Sequence, residues 1–220
     1  MGGPLNGNGP HLVIFDCDGV LVDSEGPANR ILAEFLGAYG CRLTGPECEA
    51  RFRGKTMAAV AAELAAEGIT LPADWLALLK PRALAALEAE IRPIPHAAEA
   101  VEAVKKLGIK TCVASQSGID YLNFVLARTG LLDYFKGRLF SSHMVARGKP
   151  WPDLFLHAAM QMKTGFDRCV VIEDSVTGVT AAVAAGMHCL ALCTPDEASH
   201  MAPLGARPIT SLKDVPAALL

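Results

Sequence analysis

The chain has 220 residues, 51% of them apolar and 20% charged, with a formal net charge of −3. That length and apolar content suffice for a folded core, while the lysines and arginines are scattered and form no basic stripe along which a nucleic acid would lie. No uninterrupted apolar run reaches bilayer length, so neither nucleic acid nor membrane is an expected partner.

The opening ten residues, Met1 to Pro10, combine glycine, asparagine and proline without a charged n-region or an apolar h-region. They predict a flexible start to a cytoplasmic protein. Seven cysteines, an odd number with no C-x-x-C pair, lie mostly within apolar runs and read as small buried hydrophobes of a reducing compartment.

Leu12 to Phe15 is apolar at every position and runs straight into Asp16-Cys17-Asp18-Gly19-Val20. A strand buried on both faces has this composition. Alternation along an extended chain puts the carboxylates of Asp16 and Asp18 on one side, where they repel each other. That cost makes sense if a cation sits between them or one holds a proton, and equally short acids before a glycine form ordinary turns.

From Ser24 to Ile91 the pattern is helical, as in Met57 to Leu64 and Asp74 to Glu90, with no convincing strand. The segment is too long for a simple crossover and reads as a helical domain over residues 24–91, inserted into a core made of 11–23 and 92–220. Val22-Asp23-Ser24 and the prolines Pro93 and Pro95 mark its hinges.

A helix from His96 to Leu107, stopped by Gly108, precedes a strand from Lys110 to Ala114. There follows Ser115-Gln116-Ser117-Gly118, where the Ser115 hydroxyl either caps a helix or, with nearby backbone N–H groups, holds an anion. Val113 stands where a serine-hydrolase elbow needs glycine, which excludes that chemistry. After a strand over Leu139 to Ser141, Lys149 lies in the proline-stiffened loop Arg147-Gly148-Lys149-Pro150-Trp151-Pro152-Asp153. A helix spans Pro152 to Met162. The apolar run Cys169 to Ile172 ends in Glu173 and Asp174, a helix from Ser175 to Ala185 stops at Gly186, and Cys189 to Leu192 is a further strand. This alternation predicts an α/β protein: a Rossmann-like parallel sheet with helices on both faces, its strands opening a polar crevice at their carboxyl ends.

Taken in order, D-x-D-G-V, a serine after a strand, Lys-Pro and Glu-Asp after a strand resemble the haloacid dehalogenase superfamily over about residues 11 to 195. The similarity is to its branch with an inserted helical cap, which includes β-phosphoglucomutase and many sugar-phosphate phosphatases. The resemblance implies that Asp16 attacks phosphorus to give an aspartyl-phosphate, and that Asp18 protonates the leaving alcohol and then activates water. It implies Mg²⁺ held by Asp16, the Asp18 backbone carbonyl and Asp174, with Glu173 assisting directly or through water. Ser115 and Lys149 would bind the phosphoryl oxygens, and Gly19, Gln116, Arg53 and Lys55 the substrate.

Family members that displace halide lack the second aspartate, so Asp18 argues against a dehalogenase. The histidine and the cap arginine found in related mutases fall here on Ala28 and Met57, which favours transfer to water. The expectation is therefore a Mg²⁺-dependent phosphatase acting on a small phosphorylated metabolite, a sugar or sugar-acid phosphate, as a monomer or weak dimer. An isomerase moving phosphate within a sugar, and a non-catalytic binding protein, are the alternatives.

Overall fold

The computed structural model describes residues 9–52, 55 and 57–220. Its contacts divide it into two compact units, one formed by the chain up to Val22 together with Pro93–Leu220, the other by Asp23–Arg92. The strands are β1 (Leu12–Phe15), β2 (Val22–Asp23), β3 (Arg92–Pro93), β4 (Lys110–Ser115), β5 (Leu139–Ser141), β6 (Cys169–Glu173), β7 (His188–Leu192) and β8 (Arg207–Ile209). The helices are α1 (Glu25–Gly37), α2 (Gly45–Phe52), α3 (Met57–Ala66), α4 (Trp75–Glu90), α5 (Ala97–Lys106), α6 (Ile119–Arg128), α7 (Leu132–Phe135), α8 (Asp153–Gln161), α9 (Val176–Ala184), α10 (Pro195–Met201) and α11 (Val215–Ala218).

In the first unit six strands lie in the order β5-β4-β1-β6-β7-β8, each neighbour parallel. The two central strands, LVIF in β1 and CVVIE in β6, are buried at every residue. Apart from Glu173 at the end of β6, these residues are apolar on both faces, as a parallel sheet covered by helices demands. Leu12 and Ile14 enter a cluster with Leu154, Phe155 and Ala158 of α8 and with Val179, Ala181 and Ala182 of α9. The other face carries Phe15, edge-to-face with Phe135 of α7 at 6.0 Å between ring centroids.

Of the six strands in this sheet, β8 is the one the sequence reading lacks. Its segment Arg207-Pro208-Ile209 is three residues long and contains proline, which suits only an edge, and β8 is the edge. The predicted strands and helices otherwise occur with ends moved by one residue or so, as where β4 runs on to Ser115 and β6 to Glu173.

The second unit consists of α1 to α4 around a core of its own, with Leu32, Phe35, Leu36, Cys48, Phe52, Val60, Leu64, Trp75 and Leu79 buried together. Arg30 on α1 donates to Glu90 at the end of α4 and, at 2.5 Å, to Glu34. The short strands β2 and β3 pair with each other. All seven cysteines are free and buried. No helix among the described residues is long and apolar enough to cross a membrane.

Candidate active site

Parallel pairing sets Phe15 of β1 beside Val113 of β4 and Ile172 of β6. One residue further, the Asp16 amide donates to the Ile172 carbonyl at 2.9 Å. The carboxyl tips of three adjacent strands therefore deliver Asp16, Ser115 and Glu173 to one end of the sheet, and all three are buried. Polar side chains there cost desolvation that must be repaid by partners.

Lys149 supplies the main partner. It arrives from the loop between β5 and α8, its side chain 3% exposed, and its Nζ donates to Asp16 Oδ1 at 2.7 Å and to Glu173 Oε1. The loop is held from β4's side: the Lys149 amide donates to Gln116 Oε1 at 3.0 Å, and Gln116 Nε2 donates weakly to the Lys149 carbonyl at 3.4 Å. The peptide bond between Lys149 and Pro150 is cis.

Glu173 is wholly buried, and its carboxylate is met by further donors from its own chain turn: the amides of Asp174 and Ser175 and the Ser175 hydroxyl, all on Oε2. The same hydroxyl accepts from the Gly178 amide at 3.0 Å and so caps α9. Gly178 has no room for a side chain, since a Cβ would lie 1.8 Å from Glu173 Oε1. Asp174 faces the tip of β1. A Cβ on Gly19 would stand 1.9 Å from Asp174 Oδ2, and Gly19 itself has φ +76°, so only glycine fits the turn after Asp18.

Asp16, Glu173 and Asp174 each present an oxygen within 4.8 Å of the others. Three carboxylates against the single Lys149 ammonium leave the cluster with excess negative charge, and the donors are all hard oxygens. A divalent cation such as Mg²⁺ fits that set. Without one, the Asp16 carboxyl is raised to about 7: burial is the largest cause, Lys149 opposes it, and Glu173 and Asp18 add to it. Burial alone would lower the Lys149 ammonium, but Asp16 and Glu173 outweigh it and hold it firmly charged. Cys17, between the two aspartates, is kept as a thiol by burial and then by Asp18 and Asp16, which rules it out as a nucleophile.

Asp18 carries the next layer. Its Oδ2 accepts from the Ser117 hydroxyl at 3.0 Å and its Oδ1 from the Tyr121 hydroxyl at 2.7 Å. Ser115 Oγ accepts from the Ser117 amide at 3.0 Å. Ser117, Tyr121 and Ser175 are parts of this network that sequence reasoning missed. Ser117 and Ser175 sit inside the quoted motifs and could have been found there; Tyr121 lies in the first turn of a helix with nothing in its neighbours to mark it.

Of the residues expected to bind substrate, Gly19 and Gln116 adjoin the cluster, and the Gln116 side chain also holds the Lys149 backbone. Lys55 lies in the second unit, ion-paired to Glu63 at 2.6 Å with its ammonium 5.8 Å from the Phe52 ring centre. Arg53 is outside the described residues.

A model of the haloacid dehalogenase-like hydrolases matches residues 10–186. The chain belongs to that family. It is 30% identical over 183 residues to the 6-phosphogluconate phosphatase of Escherichia coli K12, covering 82% of this chain and 81% of that protein. It is 31% identical to the fructose-1-phosphate phosphatase YqaB of the same organism, over 80% of this chain and 92% of the relative. Among solved structures, a haloacid dehalogenase family hydrolase of Deinococcus radiodurans R1, crystallised with bound phosphate and sodium, is similar at TM-score 0.87 and 36% identity, over 95% of this chain and 94% of that one. This member of the family is accordingly an enzyme, a phosphoric monoester hydrolase, with a Rossmann-like core.

Proposed function

We propose that the chain hydrolyses small phosphorylated sugars or sugar acids, with Asp16 as the nucleophile and Asp18 as the proton carrier. The observation that carries this reading is the buried contact of Asp16 with Lys149, itself anchored on Glu173, at the joint tip of β1 and β6. An acid whose partner ammonium is fixed from a second side is held in place and faces bound anions without needing to reorganise. The named relatives act on 6-phosphogluconate and fructose 1-phosphate, which supports the substrate class.

In the first half-reaction an Asp16 oxygen bonds to phosphorus as the ester P–O bond breaks, and Asp18 gives its proton to the departing oxygen. In the second, Asp18 takes a proton from water as that water's oxygen bonds to phosphorus and the Asp16–phosphorus bond breaks, releasing inorganic phosphate. Lys149 and the Ser115 hydroxyl bind phosphoryl oxygens. Asp16, Asp174 and the Asp18 carbonyl would hold Mg²⁺, whose role is to neutralise charge so that a phosphate can approach an acidic cluster. Glu173 acts from behind, because Lys149, the Asp174 amide and Ser175 already engage its carboxylate; it fixes Lys149 and the turn carrying Asp174.

The test is a panel of phosphorylated sugars, sugar acids and nucleotides with Mg²⁺, read as released inorganic phosphate. Release from sugar or sugar-acid phosphates that EDTA stops and excess Mg²⁺ restores is the expected result. Phosphate moved to another position of the sugar with none released would sink the hydrolase assignment in favour of a mutase.

A further inference from the structure

We propose that Tyr121 is a positioning residue that aims the Asp18 carboxylate at the leaving oxygen; the idea deepens, and rests on, the assignment of Asp18 as proton carrier. Its hydroxyl donates to Asp18 Oδ1 at 2.7 Å while the Ser117 hydroxyl donates to Oδ2 at 3.0 Å. A carboxylate held through one oxygen can still swing about its Cβ–Cγ bond. Bonds to both oxygens fix tilt and twist together.

The two donors differ in what they can fix. A serine hydroxyl turns freely about one bond and adapts to whatever lies near it. The Tyr121 hydroxyl sits at the end of a rigid ring on the first turn of α6, a helix fastened to the core by the fully buried Leu122, Val125 and Leu126. The Asp18 backbone is pinned as well: the Leu21 and Val22 amides donate to the Cys17 carbonyl at 2.8 and 3.0 Å, and the Gly19 amide to the Val22 carbonyl at 2.9 Å. Backbone and carboxylate are thus set independently, the first by the turn and the second by Ser117 and α6. Proton transfer needs its partners within about 2.6–3.2 Å, and misplacement by about 1 Å costs on the order of a hundredfold, so such fixing is worth a large factor in rate.

A generic destabilisation would slow every substrate alike. Loss of aim at the leaving oxygen slows only substrates whose leaving group needs the proton. The experiment compares kcat/KM, which covers the steps up to departure of the leaving group, for a sugar phosphate that leaves as an alkoxide and for p-nitrophenyl phosphate, which leaves as a stable phenolate. Tyr121→Phe should lower the ratio of the first to the second about tenfold relative to the unsubstituted enzyme, with p-nitrophenyl phosphate turnover retained as evidence of a folded site. In an Asp18→Asn background the same substitution should leave the ratio where Asp18→Asn put it. Equal losses on both substrates, no loss on either, or a further fall in the ratio when Asp18 is already replaced would each overturn the proposal. Asp16→Asn separates the two levels: turnover that survives it would fail the underlying mechanism, whereas turnover it abolishes leaves the Tyr121 comparison as the decisive result.

Discussion

At Asp16 two demands conflict: the proposed nucleophile must be ionised, yet burial at the strand tip raises its pKa from 3.8 to about 7 despite Lys149. A carboxyl whose folded pKa is raised loses its proton more easily in the unfolded chain. The contribution of Asp16 to the stability of the metal-free protein should therefore fall as pH rises from about 4 to about 7 and stay level above that window. Asp16→Asn removes the ionisable group, so in EDTA it should raise the melting temperature at pH 8 and raise it progressively less towards pH 4, as scanning calorimetry would read. Lys149→Met tests the other side of the pair. It leaves Glu173 charged, wholly buried and short of its ammonium, a change that costs about 3–5 kcal/mol in chemical denaturation. Asp16, Asp18, Ser115 and Asp174 were legible as candidates because each stands at or just beyond the carboxyl end of an apolar strand, and Lys149 because it stands in a proline-stiffened loop. Tyr121 was not, because its contact with Asp18 spans 103 positions of sequence and its helical neighbours read as ordinary core.

Among elements, α9 and the end of β6 form one device. The Ser175 hydroxyl caps the helix and also donates to Glu173, so Ser175→Ala should cost about 1–3 kcal/mol, more than a solvent-facing cap. Gly178→Ala is expected to be worse, because the added Cβ meets the Glu173 carboxylate at 1.8 Å and must displace it from Lys149. Denaturant unfolding of the two variants side by side checks that order. The central strands were readable from their uniformly apolar composition, which only a doubly covered parallel sheet tolerates. β8 escaped because a three-residue edge strand with a proline carries no periodicity; its place follows from pairing with β7, which only three dimensions reveal.

On the scale of the whole molecule, the residues that meet at the strand tips all come from the first unit, and the second unit keeps a core of its own. Lys55, in the second unit, is already paired with Glu63 and partly exposed, so its loss should cost less than about 1 kcal/mol and leave turnover of p-nitrophenyl phosphate nearly unchanged. An altered preference among sugar phosphates in Lys55→Ala would give that loop a selective role, and an unaltered one would deny it. The inserted helical segment was visible in the sequence as a long stretch without strands. Substrate choice was not, because it depends on the shape of the site and not on a code that single residues spell out.

The central claim is that Asp16 itself takes up the phosphoryl group. Acid quenching of a single turnover with a sugar phosphate, followed by mass spectrometry of the digested protein, tests it most directly. A phosphoryl group on the peptide bearing Asp16, absent from Asp16→Asn, is the predicted result. Released phosphate with no phosphorylated peptide at any time in the turnover, or with the group on another residue, would contradict it.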